Sequence, residues 1–474
     1  MAQILTQIKH IVVVMLENRS FDNLCGWIYS DPHGPQPSLF LPGGSPAVYD
    51  GLDASFWNPA NKSYFEANEP PVKVPVVQGT TDFTVPSPDP EETFDNVTYQ
   101  LYGPQGPDPS PMWPMQGFVV NYQDTMAASP NQIMQTYSPT QLPVLTALAQ
   151  NFAISDAWFC SVPSQTWPNR SFVHAGTSNG NVDNGVITNP FHWDVMTIFN
   201  VLQSMGASWR VYNDSFTSSL TRIMFPKLWS PLLNGHFRGF SDFQSDCAAG
   251  TLPQYSFVEP DFFSAEANDE HPPHDVAAGE RFLSAIWQAI SQSPAWDSTL
   301  LLITFDEHGG CYDHVLPPTN AVAPDMVSYP GQEGFHFDRF GVRVPAILIS
   351  PYIQAGTVFR SPTQTPYDHT SVLATLRDWL PIPSTQMLPS QRIVAAPTLA
   401  QVLTLPTPRT TLPAIPAPPA VLQPTPPMLP PNDLQKSIVA ATAQFRGMKA
   451  ADALANVHTR QDVADFCARG YANP

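Results

Sequence analysis

Short apolar runs alternate with amphipathic stretches along this chain of 474 residues. The run HIVVVMLE (10–17) is rich in β-branched residues and is typical of a strand buried on both faces, as is TLLLITFDE (299–307). Helical periodicity marks DVAAGERFLSAIWQAISQS (275–293) and YDHTSVLATLRDWL (367–380), the latter opened by a polar cap. A third run, VRVPAILISPYI (342–353), contains a proline that places it near a strand end or at a sheet edge. Strands alternating with helices predict an α/β fold with a largely parallel central sheet flanked by helices.

Residues 31–115 depart from this alternation, because Pro, Gly and Asn interrupt almost every short run. We interpret them as a long irregular insertion, with some short strands, that overlies the sheet. The chain contains 54 prolines, and the Pro-rich segment 406–432 predicts an extended linker or belt. The pattern becomes helical again after residue 433. The sequence therefore predicts a main domain over 1–405, a belt over 406–432 and a short helical appendage over 433–474.

Acidic residues outnumber basic ones: 40 Asp and Glu stand against 21 Lys and Arg, a formal net charge of −19. The phosphates of a nucleic acid require a basic surface, so this balance argues against a nucleic-acid partner. It also disfavours electrostatic adsorption to anionic lipid, whereas transient contact with a neutral lipid surface stays open.

Membrane and compartment signals are sparse. No stretch reaches the roughly 18 consecutive apolar residues of a membrane span, and the N-terminal segment lacks the apolar core and cleavage site of a signal peptide. We therefore expect a cytoplasmic protein, or a secreted or periplasmic one whose signal peptide has been removed. The five cysteines are scattered without a CxxC pair, which predicts neither a thiolate zinc site nor a disulfide framework and leaves one bridge open.

Polar clusters follow two of the predicted strands. Glu17 ends the first run and is followed by Asn18, and Asp306 and Glu307 end the second. The carboxyl ends of parallel strands border the ligand crevice of an open α/β sheet, so we expect these side chains to converge. Three converging carboxylates repel each other unless a cation lies among them, and oxygen ligands suit Mg²⁺, Ca²⁺ or Mn²⁺ better than zinc. The competing interpretation is that Asp306 and Glu307 are helix caps or solvated loop acids.

A third cluster, CSVPSQTWPNRSF (160–172), holds Thr166 on a proline-constrained turn, with Arg170 four residues further on. A hydroxyl on a constrained turn near a cation is the arrangement of an activated nucleophile. Without the other clusters, the same segment would be an ordinary Pro-containing turn.

Four histidines add candidate proton donors and phosphate ligands. They are His271 and His274 in NDEHPPHDV, His314 in YDHV and His369 in YDHTS. An imidazole near a metal-held phosphate can bind its oxygens or protonate a leaving alkoxide. Each of these histidines, taken alone, is more often a structural residue.

The stretch GTSNG (176–180) fits the G-x-S-x-G pattern of a serine esterase, which would make Ser178 a nucleophile. That nucleophile requires a strand before it and a helix after it, whereas an Asn- and Gly-rich stretch follows here. The esterase is therefore the weaker alternative.

Five blocks of the chain, in order, resemble the phosphoesterase family of bacterial phosphatidylcholine-hydrolysing phospholipases C. That family includes plant non-specific phospholipase C and acid phosphatases related to the alkaline phosphatase superfamily. The blocks lie within residues 5–405 and read IKHIVVVMLENRSFDNLCGW, SVPSQTWPNR, EPDFFSAEANDEHPPHDVAAGE, FDEHGGCYDHV and FGVRVPAILISPYI.

The resemblance implies an alkaline-phosphatase-like core over 1–405, one divalent cation, and roles for particular residues. It casts Thr166 as the nucleophile, with histidines that surround the phosphate and supply the leaving-group proton. The implied catalytic residues are Thr166, His271, His274 and His369; the implied substrate-binding residues are Asn169, Arg170, His308 and His314; the implied metal ligands are Glu17, Asn18, Thr166, Asp306 and Glu307.

The activity implied by the resemblance is that of a metal-dependent phospholipase C, which cleaves a glycerophospholipid such as phosphatidylcholine to diacylglycerol and a phosphorylated headgroup through a phosphothreonine. The alternative with the same fold is an acid phosphatase acting on phosphomonoesters. A third interpretation, a secreted binding or adhesion protein without catalysis, rests only on the 11% aromatic content and the many loops.

Overall fold

A computed structural model of the chain describes residues 5–43, 48–107, 111–125, 128–185, 193–214, 219–420 and 428–468. The strands within these ranges are β1 His10–Leu16, β2 Leu39–Leu41, β3 Trp57–Pro59, β4 Lys73–Pro75, β5 Val77–Gln78, β6 Gln135–Thr136, β7 Ala153–Ser155, β8 Trp209–Asn213, β9 Phe237–Gly239, β10 Tyr255–Glu259, β11 Thr299–Phe305, β12 Ala346–Ile349 and β13 Thr357–Phe359.

Helices separate most of these strands. The α-helices in the described ranges are Phe21–Cys25, Ser63–Glu66, Phe94–Tyr102, Phe118–Asp124, Pro143–Asn151, Thr166–Ala175, Ile198–Met205, Leu220–Met224, Phe240–Ala249, Val276–Ser291, Thr370–Trp379, Gln391–Ala395, Asp433–Phe445, Ala450–Leu454 and Arg460–Ala468. Short 3₁₀ segments connect several of them.

Nine of the described strands form one central sheet in the spatial order β2-β13-β7-β12-β11-β1-β10-β8-β9. The pairings are parallel except those that β12 makes with β11 and β7, so β12 alone runs against the others. The predicted α/β fold with a largely parallel sheet flanked by helices is confirmed. Strands β1 and β11 lie side by side at its centre, and their side chains are almost entirely buried.

The register of β1 against β11 decides where the two predicted acid clusters lie. The pairing runs in parallel from His10↔Thr299 to Leu16↔Phe305. The backbone N–H of Asp306 still donates to the carbonyl oxygen of Leu16 at 3.1 Å. Both strands therefore end at the same level, and the residue that follows each one leaves the sheet at the same edge.

The third apolar run differs in part from its prediction. Pro345 precedes β12 directly, as expected for a proline near a strand end, yet β12 is a central strand rather than an edge. The proline costs no ladder hydrogen bond because it lies outside the paired residues 346–349.

The irregular segment 31–115 contains β2 to β5 and the helices Ser63–Glu66 and Phe94–Tyr102, so short strands occur there as expected. Apolar side chains of the C-terminal helix Asp433–Phe445 belong to the same hydrophobic cluster as β1 and β11. The division into a main domain, a belt and an appendage stays a prediction; residues 421–427 of the belt and 469–474 of the appendage lie outside the described residues.

The structure also bears on two further expectations from the sequence, a disulfide and a membrane span. All five cysteines are buried and free, so none of them forms the disulfide that the sequence left open. None of the helices in the described ranges combines the length and the apolar character that crossing a membrane requires.

The buried Glu280 joins two helices, and its replacement tests how much this contact contributes. Its carboxylate accepts hydrogen bonds from the N–H groups of Val144 and Leu145, at 2.7 and 2.8 Å, in the first turn of the helix Pro143–Asn151. Glu280→Ala leaves both donors buried without a partner, so we expect the free energy of unfolding to fall by about 2–4 kcal/mol. Glu280→Gln keeps one acceptor and should lose less. Equal melting temperatures for wild type and Glu280→Ala would contradict this role.

Candidate active site

The candidate site forms where β1 and β11 end and the helix Thr166–Ala175 begins. Glu17 and Asn18 follow β1, Asp306 and Glu307 follow β11, and Thr166 is the first residue of the helix. All five side chains are buried. Of the five residues that the resemblance implied as metal ligands, the structure links Glu17, Asn18, Asp306 and Thr166 by direct contacts. The fifth, Glu307, follows Asp306 and senses the charges of Asp306 and Glu17.

The Thr166 hydroxyl faces the residues at the end of β1. Its oxygen lies 3.1 Å from Glu17 Oε2 and 3.4 Å from Asn18 Oδ1, and it donates to these acceptors. Because Thr166 opens a ten-residue helix, the positive end of the helix dipole lies beside the hydroxyl. Of the next two residues, Trp167 donates its N–H to Asn184 Oδ1 and Pro168 has no N–H. This is the position in which a helix receives a phosphate.

Asn18 is held from three sides. Its backbone has a positive φ of 52°, which Asn tolerates better than most residues, and its N–H donates to Asp306 Oδ1 at 3.0 Å. Its side-chain Nδ2 lies 3.0 Å from His271 Nε2, while His271 Nδ1 lies 2.8 Å from the carbonyl oxygen of Pro272. His271 therefore carries its proton on Nδ1 and accepts at Nε2, which turns the amide oxygen of Asn18 toward Thr166.

The turn after β11 requires glycine. Gly309 has a φ of +61°, and a Cβ there would collide with the carbonyl oxygen of Asn18. Its N–H donates to Glu307 Oε2 at 2.6 Å. The glycine pair of the DEHGG motif thus lets the backbone approach the end of β1 and fixes one oxygen of Glu307.

Arg170, one helical turn after Thr166, supplies positive charge to the site. Its guanidinium pairs with Glu17 and lies 3.5 Å from Asp306 Oδ2. Burial raises the pKa of Glu17 well above its usual range; Arg170 opposes this shift, and the charge of Asp306 adds to it. Arg170 Nη1 has no hydrogen-bond partner among the described residues and is buried, so it is a donor that a substrate oxygen can use.

No guanidinium or ammonium group among the described residues pairs with Glu307 in the way that Arg170 pairs with Glu17. His308 Nδ1 lies 3.4 Å from Glu307 Oε2, but burial lowers the pKa of His308 to about 3, so that imidazole is neutral. His308 Nε2 is occupied by Gln100 Oε1 at 2.8 Å. Burial raises the pKa of Glu307 well above its usual range, and the charges of Glu92 and Asp306 raise it further.

Two buried carboxylate oxygens in the site lack hydrogen bonds from the described part of the chain, as expected of ligands to a cation. Asp306 Oδ2 and Glu307 Oε1 are buried without a hydrogen-bond partner among the described residues. A buried carboxylate oxygen without a hydrogen bond is energetically unfavourable unless a positive ion lies beside it. An all-oxygen donor set of carboxylates, an amide and a hydroxyl suits a hard divalent ion.

His274 and His369 differ in the state of their ring nitrogens. His274 Nδ1 lies 2.5 Å from Asp269 Oδ1, the carboxylate–imidazole pair that fixes a catalytic histidine in one tautomer. His369 Nε2 donates to the carbonyl oxygen of Asp306 at 2.6 Å, and its Nδ1 lies 3.4 Å from Trp158 Nε1. His369 is thus engaged on both nitrogens and supports the backbone of Asp306; its implied catalytic role stays a prediction.

Asn169 supports the loop before Thr166. Its Oδ1 accepts from the N–H of Val162, and its Nδ2 lies within 3.1 Å of the carbonyl oxygens of Val162, Ser164 and Gln165. These contacts occupy the amide and fix the turn that delivers Thr166. The substrate-binding role implied for Asn169 stays a prediction.

His314 belongs to a second, separate network. Its Nδ1 lies 2.6 Å from Asp22 Oδ2 and its Nε2 lies 3.2 Å from Asp50 Oδ1, while Arg343 pairs with both Asp22 and Asp313. Asp22, Asp313 and His314 offer ligand atoms within 4.8 Å of one another, which makes them a second candidate metal group in the described part of the chain. The guanidinium of Arg343 already neutralises these acids. The contacts therefore favour a structural role over the predicted substrate contact.

Sequence reasoning missed residues that approach the site from distant segments. Glu92, from the irregular insertion, is buried, acts electrostatically on Glu307 and leaves Oε2 without a described partner. Asp89 Oδ2 lies 3.9 Å from His271 Nε2, and Asn432 Nδ2 lies 3.4 Å from His271 Nδ1. The acidic stretch DPEE (89–92), in a chain with only 13% charged residues, was the available signal.

The serine-esterase alternative is wrong. Ser178 follows the end of the helix Thr166–Ala175 rather than a strand, and its hydroxyl donates to the carbonyl oxygen of Asn181 at 2.6 Å. The strand–turn–helix that exposes such a nucleophile is therefore missing around Ser178.

Comparisons with known proteins identify the family. The model of the Phosphoesterase family matches residues 8–383, and the chain belongs to that family. It is therefore an enzyme of the phosphoric ester hydrolase class.

Its relatives include proteins from plants and bacteria. The chain is 36% identical over 425 residues to non-specific phospholipase C3 of Arabidopsis thaliana, an alignment that covers 86% of this chain and 76% of that protein. It is 29% identical over 417 residues to phospholipase C B of Mycobacterium tuberculosis, covering 80% and 74%. A solved structure of an alkaline phosphatase superfamily protein from Vibrio parahaemolyticus is similar at 13% identity and a TM-score of 0.32, covering 67% of this chain and 82% of that one.

The network around His314 predicts a loss of stability at alkaline pH. Burial lowers the pKa of His314, but its hydrogen bonds and charge interactions with Asp22 and Asp50 raise it to about 10, above the ordinary 6.5. The folded protein thus holds this proton more tightly than the unfolded chain. The stabilisation is complete below pH ~6.5 and is lost as the pH rises through about 10.

We therefore expect His314→Gln to melt at a lower temperature than wild type at pH 7, with the difference shrinking toward pH 10. Melting curves of both proteins between pH 6 and pH 10.5 measure this, and the difference isolates His314 from other groups that titrate. A constant difference across that range would show that His314 does not carry a proton in the folded state.

Proposed function

We propose that the protein is a phospholipase C-type phosphodiesterase that cleaves glycerophospholipids, such as phosphatidylcholine, to diacylglycerol and a phosphorylated headgroup. The observation that carries this proposal is the position of the Thr166 hydroxyl, at a helix N-terminus and 3.1 Å from Glu17 Oε2. The names of the relatives, non-specific phospholipase C and phospholipase C, support the substrate class.

The residues fit one divalent cation, with Mg²⁺, Ca²⁺ and Mn²⁺ favoured. The residues that would hold it are the oxygen donors at the ends of β1 and β11 and at the helix start: Glu17, Asn18, Asp306, Glu307 and the Thr166 hydroxyl. Two of them, Asp306 and Glu307, have buried oxygens without a hydrogen-bond partner among the described residues. When bound, such an ion supplies charge that stabilises the phosphoryl oxygens and lowers the pKa of a nearby hydroxyl.

The first step forms a phosphothreonine. Thr166 Oγ1 attacks phosphorus as its proton moves toward Glu17 Oε2, the acceptor of its hydrogen bond. A phosphoryl oxygen receives the Nη1 donor of Arg170, which has no partner among the described residues, and faces the positive end of the helix dipole at Thr166. The bond from phosphorus to the glycerol oxygen breaks in the same step, and the headgroup phosphate stays on Thr166.

The leaving alkoxide needs a proton, and His274 is the residue best arranged to provide it. Asp269 accepts a hydrogen bond from Nδ1 of His274, which orients the ring and leaves Nε2 as the nitrogen that exchanges the proton. In the second step the same imidazole takes a proton from water, which attacks phosphorus. The bond from phosphorus to Thr166 Oγ1 breaks, Glu17 returns its proton to that oxygen, and the phosphorylated headgroup leaves.

Replacing Thr166 tests the nucleophile. Thr166→Ala removes the attacking oxygen, so we expect hydrolysis of phosphatidylcholine to fall by a factor of at least about 10³. Thr166→Ser keeps a hydroxyl at the same atom and should retain part of the activity. The measurement is release of phosphocholine from short-chain phosphatidylcholine.

Two controls make the result decisive. The melting temperature and the divalent-cation affinity of Thr166→Ala should stay close to wild type, since the other oxygen donors remain. Retention of most activity in Thr166→Ala would remove this residue from the role. Comparing p-nitrophenyl phosphate with p-nitrophenyl phosphocholine separates the proposed diesterase from a phosphomonoesterase of the same fold.

Removing and restoring the metal tests the ligand set. We expect chelator-treated protein to melt at a lower temperature and to regain stability with Mg²⁺, Ca²⁺ or Mn²⁺, because an ion that binds only the folded state stabilises it. Asp306→Asn and Glu307→Gln should weaken this thermal response together with the affinity measured by calorimetry.

Asp313→Asn is the matched comparison, because Asp313 belongs to the second candidate group around Arg343. The thermal response to cations should survive in Asp313→Asn. A response that survives in Asp306→Asn and disappears in Asp313→Asn would place the ion in the second group and contradict the proposed site.

A further inference from the structure

Apolar side chains are exposed on the long connection between β11 and β12. Met326 is 85% exposed, Val327 59% and Tyr329 58%, whereas the chain elsewhere buries most residues of this size. They fall within four consecutive positions, 326–329, that contain no charge. Exposed apolar residues concentrated in this way mark a contact surface more often than scattered ones do.

This connection borders the candidate active site. Both of its ends lie at the sheet edge that carries Asp306, because β12 runs against β11. The N–H of Gln332 donates to the carbonyl oxygen of Gly180 at 2.8 Å, and the N–H of Val182 donates to Gln332 Oε1 at 2.9 Å. A Cβ on Gly180 would also meet Val327.

The partner segment leads directly to the nucleophile. Asn184, two residues beyond Val182, accepts from the N–H of Trp167 at 3.0 Å, and its own N–H donates to Gln165 Oε1 at 3.1 Å. Gln165 and Trp167 are the residues on either side of Thr166. The exposed stretch is therefore coupled to the start of the nucleophile helix through one short segment.

A second uncharged apolar stretch approaches the site from another direction. Met428 is 74% exposed and Leu429 39%, and prolines follow at 430 and 431. Asn432, the next residue, contacts His271, which itself contacts Asn18 in the site. Two exposed apolar stretches thus lie within a few residues of the site's surroundings.

The charges in and around the two exposed stretches indicate which lipid headgroups they can approach. Asp325, the acid beside Met326, is satisfied internally: its carboxylate accepts from the hydroxyl of Thr177 at 2.5 Å and from the N–H and hydroxyl of Ser328 at 3.0 and 2.8 Å. The stretches offer no basic residue to anionic headgroups, and the chain's net charge of −19 opposes approach to an anionic surface. Tyr329, with an apolar ring and a polar hydroxyl, suits the headgroup boundary.

We propose that Met326, Val327 and Tyr329, assisted by Met428 and Leu429, form a docking surface that inserts into zwitterionic phospholipid bilayers beside the active site. The inference rests on the proposed function, because it names the surface from which that site takes its substrate. Insertion buries apolar area without requiring charge attraction.

Leu232 provides a matched control, since it is 91% exposed and apolar. It lies in the 3₁₀ segment Pro231–His236, which leads into the amino end of β9. Strand β9 runs parallel to β8, which in turn runs parallel to β10 and β10 to β1. Leu232 is therefore at the sheet edge opposite the site, where the proposal predicts no lipid contact.

Flotation with vesicles of pure phosphatidylcholine tests the surface, using full-length protein in the Thr166→Ala background so that the lipid is not consumed. The triple change Met326→Ser, Val327→Ser and Tyr329→Ser should weaken vesicle partitioning by at least about tenfold. The double change Met428→Ser and Leu429→Ser should weaken it less, and Leu232→Ser should leave it unchanged. Partitioning should vary little with salt, and vesicles rich in phosphatidylserine should bind more weakly at low ionic strength.

Hydrolysis of monomeric dibutyrylphosphatidylcholine is measured for the same variants made in the active protein. This measurement distinguishes the docking surface from the proposed function. Hydrolysis should change less than about twofold, because soluble substrate needs no surface. Loss of vesicle partitioning without any hydrolysis of this substrate would support the surface and contradict the proposed function. Unchanged partitioning of the triple variant would overturn the surface. A change in sedimentation of the lipid-free protein with unchanged partitioning would assign these residues to contact between copies of the chain, which also overturns it.

Discussion

The parallel pairing of β1 with β11 is the constraint on which the site depends. The register Leu16↔Phe305 makes both strands end together, so Glu17 and Asp306 leave the sheet side by side in the interior. Two neighbouring buried carboxylates are unfavourable by desolvation and by mutual repulsion. A sheet whose hydrogen bonds force this proximity needs countercharge there. Arg170 supplies part of it, and the divalent ion proposed above would supply the rest.

The acidic cluster around Arg343 differs from the candidate site around Thr166 in how far its charges and hydrogen bonds are satisfied. Around Arg343, the acids Asp22 and Asp313 meet a guanidinium and a protonated His314, so charge and hydrogen bonds are nearly complete without a ligand. Around Thr166 the hydrogen bonds are incomplete, because Asp306 Oδ2 and Arg170 Nη1 lack hydrogen-bond partners among the described residues. Unsatisfied buried groups of both signs are what a bound phosphate ester and its cation would complete.

The sequence predicted those features of the site that depend on the local pattern of apolar and polar residues. The apolar runs at 10–17 and 299–307 are strands with the expected ends, and the acids after them converge as parallel strands require. The direction of β12 could not be predicted, because an isolated apolar run carries no information on whether its partner is parallel. The contacts of His314 could not be predicted for a related reason: its place in the sequence after Asp306 does not reveal the turn that carries it to Asp22.

The contributions that sequence could not reveal come from segments outside the central sheet. Gln100 of the insertion binds His308, and Asn432 after the Pro-rich segment contacts His271, at separations of 208 and 161 residues. Trp167 in the nucleophile helix donates to Ser437 of the helix Asp433–Phe445 at 2.8 Å. No periodicity or spacing predicts such contacts, since they depend on the path of long irregular connections across the sheet edge. These segments exclude water from the acids, and with it the solvent that would otherwise screen their charge. The strength of the site's electrostatics is therefore set as much by the irregular parts of the chain as by the strands that present the acids.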